Sequence, residues 1–198
     1  MKAEGKTKLK YMAKSKGKNK DFIFNTKDFI LYILNRIEPA KSDKIRLNKI
    51  AFFVEFAYIF YNNKNLSRAN YAAIDNGPVI DGYDAILKEM AKEKLIAING
   101  FALRPLISSK ADVPKDVANF IESIIDKYSK LSKSELISLS HNTDSYKITT
   151  DNEKKMGNII NKKLASLEAF FCDDDSDQEI NEKNLPVLDK SKLVEYEL

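Results

Sequence analysis

The alternation of apolar and polar positions is mostly helical in period. Asn25-Thr26-Lys27-Asp28 offers an N-cap and an acidic first turn, and Phe29, Ile30, Ile33, Leu34 and Ile37 follow on one face. Pro39 ends that helix. Ser42 is a second capping residue, and behind it RLNKIAFFVEFAYIFY is apolar nearly all round. Leu47, Ile50, Ala51, Val54, Ala57, Tyr58 and Tyr61 form one stripe, and Phe52, Phe53, Phe56, Ile59 and Phe60 fill most of the rest. Such a helix belongs at the centre of a domain, or leaves one face for a partner.

The pattern then shortens. Residues 69–75 suit a strand. Leu95 to Ile98 and Phe101 to Arg104 read as a hairpin with a type I′ turn at Asn99-Gly100, because Asn-Gly accepts positive φ at both central positions. Between them Gly77-Pro78 reads as punctuation. Pro78 lacks an N–H and holds Gly77 in extended conformations, so the pair ends a strand and turns the chain toward a helix from Asp81, with Val79, Tyr83, Ile86, Leu87 and Met90 on its buried face. Three more helices are expected: Pro114 to Tyr128; Ser132 to Ser140, opened by the capping box Ser132-x-x-Glu135; and Thr150 to Phe171, opened by Thr150-x-x-Glu153. The expected fold is α+β, mainly helical, with about six helices and a small antiparallel sheet or hairpin. No internal repeat is evident.

Composition adds a boundary at each end. Residues 1–20 carry eight lysines against Glu4, whereas residues 173–198 carry nine acidic residues against three lysines. Neither stretch has apolar periodicity, so a basic flexible arm (1–22), a helical domain (23–171) and an acidic flexible tail (172–198) are expected. The 198 residues suit one core. No run of about 18–20 apolar residues is present, so no membrane span is expected. One cysteine excludes an intrachain disulfide, and a soluble cytoplasmic protein is the natural reading.

Catalytic chemistry finds little support in these residues. His141 and Cys172 are the only imidazole and thiol, and Asp173, Asp174 and Asp175 beside the cysteine would raise its pKa. A lone histidine ending a capped helix reads as a capping or packing residue. The acidic cluster through Asp177 lacks the spacing of a cation loop, and GKTKLK and GKNK lack that of a phosphate loop. No enzyme activity, metal or cofactor is expected. Lys8, Lys10, Lys14 and Lys16, interleaved with Tyr11 and Met12, suit weak, non-specific phosphate contact. The absence of arginine from that arm argues against base readout.

Three ordered motifs carry a resemblance. Leu47-Asn48-Lys49-Ile50 opens the aromatic helix, Asn76-Gly77-Pro78-Val79 leads to Tyr83, and Asp126 to His141 runs through a Leu-Ser cap into a helix ending in Ser-His. Together, over about residues 25–148, they resemble the Panacea domain of SocA-like antitoxins. That family usually places a tryptophan soon after the histidine; here Tyr146 stands nearest and the chain has no tryptophan. The resemblance implies a protein that neutralises a cognate toxin by direct contact. It leaves two further readings, an adaptor delivering its partner to a protease or chaperone, and a DNA-binding regulator acting through the basic arm. The expected partner-facing residues are Lys49, Phe53, Phe56 and Phe60 on the exposed side of the aromatic helix, with Asn76, Gly77, Pro78 and Tyr83 at the bend.

Overall fold

Helix α2 (Lys44–Asn62) is the axis around which the other elements are arranged in the computed structural model, which describes residues 22–171. It is buried at almost every position from Leu47 to Ile59, as its largely apolar pattern requires. Its N-cap is Asp43 rather than Ser42: the Asp43 carboxylate accepts from the backbone N–H of Ile45 and Arg46 at 2.9 and 3.0 Å. The carboxylate also suits the positive end of the helix. Against α2 lie α1 (Thr26–Leu34), capped by Asn25 as expected, α4 (Lys115–Tyr128) and α5 (Lys133–His141). The Ser132/Glu135 capping box of α5 is complete.

Two antiparallel hairpins supply the β structure. Strands β1 (Tyr71–Ile74) and β2 (Gly77–Ile80) are joined through Asp75-Asn76, so Gly77-Pro78 does not end a strand; it begins one. Gly77 takes φ 83°, which Gly alone adopts freely, and this lets the chain reverse before Pro78. Pro78 faces Ala73, whose own N–H and C=O turn to the opposite edge, so the missing proline N–H breaks no ladder bond. Helix α3 (Tyr83–Lys92) follows, two residues later than expected. In the second hairpin, β3 (Ile96–Asn99) and β4 (Ala102–Pro105), the turn is Gly100-Phe101 rather than Asn99-Gly100. Only Gly100 has positive φ, at 60°, which excludes a type I′ turn.

The largest departure lies near the C-terminal end of the described residues. Thr150 to Phe171 is not a helix. Helix α6 (Asp144–Thr150) stops where the helix was expected to start. The Glu153 N–H does bond Thr150 Oγ1, at 3.0 Å, so the local signature is correct. But Asp151, Asn152 and Glu153 are left-handed, and residues 157–160 then run beside β1. Gly157 N donates to Ala73 O (2.7 Å), Ala73 N to Asn158 O (2.9 Å) and Ile160 N to Tyr71 O (2.7 Å). An open strand edge offers more backbone partners than a solitary helix end, and the edge prevails. Two 3-10 turns, Lys162–Leu167 and Ala169–Phe171, complete what we call the strap. The count of six α-helices agrees with expectation among the described residues, but the sixth is a different segment.

Candidate functional site

The motifs at Leu47–Ile50 and Asn76–Val79 are far apart in sequence and form one device in space. Strand β1 uses one edge for β2 and the other for the strap, which leaves the outer edge of β2 facing α2. Two adjacent side chains of α2 fill that edge. Asn48 Oδ1 accepts from Ile80 N at 2.8 Å, while its Nδ2 donates to Lys44 O at 2.8 Å; Lys49 Nζ donates to Pro78 O at 2.8 Å. A helix thus satisfies a strand through side chains, which is why the pair Asn-Lys is needed at this turn of α2.

The third motif closes the same junction. A Cβ on Gly77 would lie 2.9 Å from Lys49 Nζ, 3.0 Å from His141 Cδ2 and closer still to Ser140 Oγ. Hence Gly77 is required twice, for its φ and for the space that α2 and the end of α5 occupy. Ser140 Oγ is engaged with Ile137 O at 2.8 Å. His141 Nδ1 lies 2.7 Å from Glu153 Oε1, and since a carboxylate only accepts, Nδ1 carries the proton. Nε2 is buried and meets no hydrogen-bonding partner among the described residues. The imidazole stacks on Tyr146 at 4.7 Å, and the Tyr146 hydroxyl donates to Ile74 O at 2.9 Å. Tyr146 therefore pins the end of β1.

Lys49 is 1% exposed, and burial pulls its ammonium down to about 7. Six residues along α2, Glu55 is fully buried but well supplied. It accepts from Leu66 N, Ser67 N, Ser67 Oγ and, at 2.7 Å, Lys162 Nζ of the strap. A second carboxylate of the strap, buried Glu168, accepts from Asp144 N (2.8 Å) and Ser145 N (2.9 Å) at the start of α6, where a negative charge suits the helix dipole. Burial is the main cause pushing the Glu168 carboxyl upward.

The aromatic residues are accounted for by packing. Phe53 and Phe56 are fully buried, as is Lys49, so α2 does not expose them as expected; Phe60 is half-buried. Phe53 lies flat on Tyr128 at 4.2 Å and also meets Phe170 of the strap, while Phe60 meets Phe171 at 6.0 Å. The strap covers the face that sequence reasoning left open. Of the bend residues, Gly77 and Pro78 are buried, whereas Asn76 is exposed and Tyr83 half-buried, at opposite ends of β2. Lys8, Lys10, Lys14, Lys16 and Cys172 lie outside the described residues. Glu55, Lys162 and Glu168 are not marked by any motif, the one signal being the polarity of Glu55 and Glu168 among apolar neighbours, and Asn48 and Ser140 are visible only as parts of the Leu-Asn-Lys-Ile and Ser-His motifs.

A surface cavity of about 460 Å³ lies elsewhere, lined by Tyr32, Asn35, Arg36, Ser109 and Asp112 among others. Its polar groups are engaged: Asn35 bonds Ile107 O and Ser109 N, and Arg36 stacks on Tyr32 and pairs with Glu122. No helix of the described residues is long and apolar enough to cross a membrane.

No curated protein and no solved structure matches the chain. The profile of the family described as antitoxin SocA-like, Panacea domain, matches residues 47–147. That span begins at the Leu-Asn-Lys-Ile turn of α2 and ends one residue beyond Tyr146, so it holds most of the junction. By that match the chain belongs to the SocA-like antitoxin family and carries its Panacea domain.

Proposed function

We propose that the protein neutralises a cognate toxin by binding it directly. The observation that carries this reading is the family match over residues 47–147. The contact surface includes Asn76, exposed at the tip of the β1–β2 hairpin, and the solvent-facing part of half-buried Tyr83 at the start of α3. Lys49, Gly77 and Pro78 hold that hairpin from behind. Their part in binding is to fix its position, and Phe53 and Phe56 act through the core.

The test is co-expression with the product of the adjacent open reading frame, followed by purification of the complex. Rescue of growth and co-purification are expected. Asn76→Arg should weaken the complex at unchanged melting temperature, since the site is exposed, whereas Tyr83→Ala, which trims a half-buried ring packed on the core, should weaken it by more than its loss of stability accounts for. Failure of the neighbour to arrest growth, or a complex indifferent to both substitutions, would overturn the assignment of toxin or surface respectively.

A further inference from the structure

The strap from Gly157 to Phe171 meets the rest of the chain through many specific contacts but is joined to it by one short connection. It pairs with β1 by three backbone hydrogen bonds. It lays Phe170 on Phe53 and Phe171 on Phe60, and its Phe171 carbonyl accepts from Tyr61 Oη at 2.6 Å. Lys162 reaches the fully buried Glu55, Glu168 caps α6, and Asp144 Oδ2 accepts in return from Ala169 N at 3.0 Å. Few segments fit such a seat. An occupant must bring a strand edge, a cation for Glu55, a carboxylate for α6 and two adjacent aromatic rings.

The connection is strained in the state observed. Asp151, Asn152 and Glu153 have φ of 51°, 53° and 69° in succession, and Gly157 has 86°. Asp and Asn tolerate the left-handed region, Glu does so poorly, and three L residues in a row are held there only by the surrounding contacts. Those contacts are few: Asn152 N to Lys147 O, Lys155 N to Thr150 O, Glu153 N to Thr150 Oγ1, the Glu153 carboxylate on His141 Nδ1, Met156 Sδ on the Tyr146 hydroxyl, and the exposed pair of Lys155 with Asp151. Extended, six residues span about 20 Å. Opening the turn therefore releases strain and carries the strap away from its own body.

We propose that the strap exchanges between two copies of this chain, residues 151–156 opening into an extended hinge and each strap seating on the other copy. Every contact of residues 157–171 named above is then remade between copies, and only the contacts of the hinge are lost, which is what makes exchange of an identical element a low-cost route to a dimer. The partner best suited to the seat is a second copy, because this chain's own strap carries all four requirements. The proposal does not depend on the toxin reading.

The full chain is tested with Cys172→Ser, Ala72→Cys and Ile159→Cys, which places one thiol on each side of the bridged pair Ala72 and Ile159. Light scattering during gel filtration should show a dimer fraction that grows with concentration, and oxidation should link that fraction into covalent dimers. Deleting Asp151 and Asn152 should make the dimer predominant. Glycine at Asp151, Asn152 and Glu153 together should shift the equilibrium toward monomer by about tenfold or more. Should the deletion variant fail to fold, refolding the wild-type chain at high concentration populates the exchanged form and gives the same readout. A monomer under all these conditions, or a dimer whose new thiols close within one chain, would overturn the proposal. No response to the glycines would remove the hinge as its cause.

Discussion

Helix α2 carries two buried charges six residues apart, and the protein treats them oppositely. Glu55 is surrounded by donors from the loop at Leu66–Ser67 and by Lys162 of the strap. Lys49 makes one hydrogen bond, to Pro78 O, and pairs with no carboxylate among the described residues. The first ion is compensated; the second bears its desolvation and sheds its proton near neutrality. The difference follows from what each serves. Glu55 ties together segments distant in sequence, a task that a charge network does well, whereas Lys49 supplies one donor to a strand edge, for which a neutral amine suffices.

The largest effect separates the two directly. Lys162→Met removes the counter-ion of a fully buried carboxylate and should destabilise by about 3–5 kcal/mol in denaturant unfolding. Lys49→Met loses one hydrogen bond but also an uncompensated charge, so below neutral pH it should be neutral or stabilising. Equal losses for both would break the contrast. Gly77→Val comes next, at about 2–4 kcal/mol, since a branched side chain meets both a φ of 83° and the Lys49–Ser140–His141 wall. Gly77→Ala should lose less. Their ratio reports how tightly Lys49 is confined, and equal melting of Gly77→Val and wild type would deny that the junction is close-packed.

Much of this was legible in the sequence, and the failures share one cause. Helices with caps and clear stripes, such as α1, α4 and α5, form from local information, and the sequence shows them. Gly77-Pro78 stands out in the sequence as a special backbone position, but its role depends on Asn48 and Lys49, which satisfy β2 across a sequence gap that no local pattern reveals. Thr150 to Phe171 has helical spacing and a capping signature. The edge of β1 and the buried Glu55, both non-local, decide its conformation. Phe53 lies partly beneath Phe170, and Phe56 against Tyr71, partners that lie too far away in sequence for the pattern of α2 to reveal them.

A further effect of Lys49 is spread over several pH units. The folded protein holds Lys49 near 7 and the unfolded chain near its ordinary 10.5. Between those values the unfolded state binds more protons, so stability should rise with pH, by about 1 kcal/mol per pH unit, and level off above the unfolded value. Below the folded value the group is protonated in both states and its contribution no longer changes. Lys49→Met should flatten that slope, whereas Lys162→Met should leave it in place. Thermal melts at several pH values between neutrality and 10.5 make the check, and a wild-type curve that is flat over the window would mean that Lys49 stays charged in the fold.

The smallest expected effect lies at the rim of the junction, where His141 meets Glu153. The pair is short, 2.7 Å, but the Glu153 side chain is 54% exposed, so water competes for the carboxylate and Glu153→Gln should change stability by about 0.5 kcal/mol or less. Its value lies in what else moves. The carboxylate holds the imidazole proton on Nδ1; an amide, which both donates and accepts, allows the other tautomer. The nitrogen-15 shifts of His141 should therefore change from a single Nδ1-protonated form to a mixture of the two, with little change in melting temperature. If stability falls by as much as in Lys162→Met, the exposed pair is part of the buried network and the distinction between compensated core charges and solvated rim charges does not hold here. If neither the shifts nor the melting temperature change, the tautomer is set by the packing of Tyr146 on the ring, and Tyr146→Leu becomes the substitution that releases it.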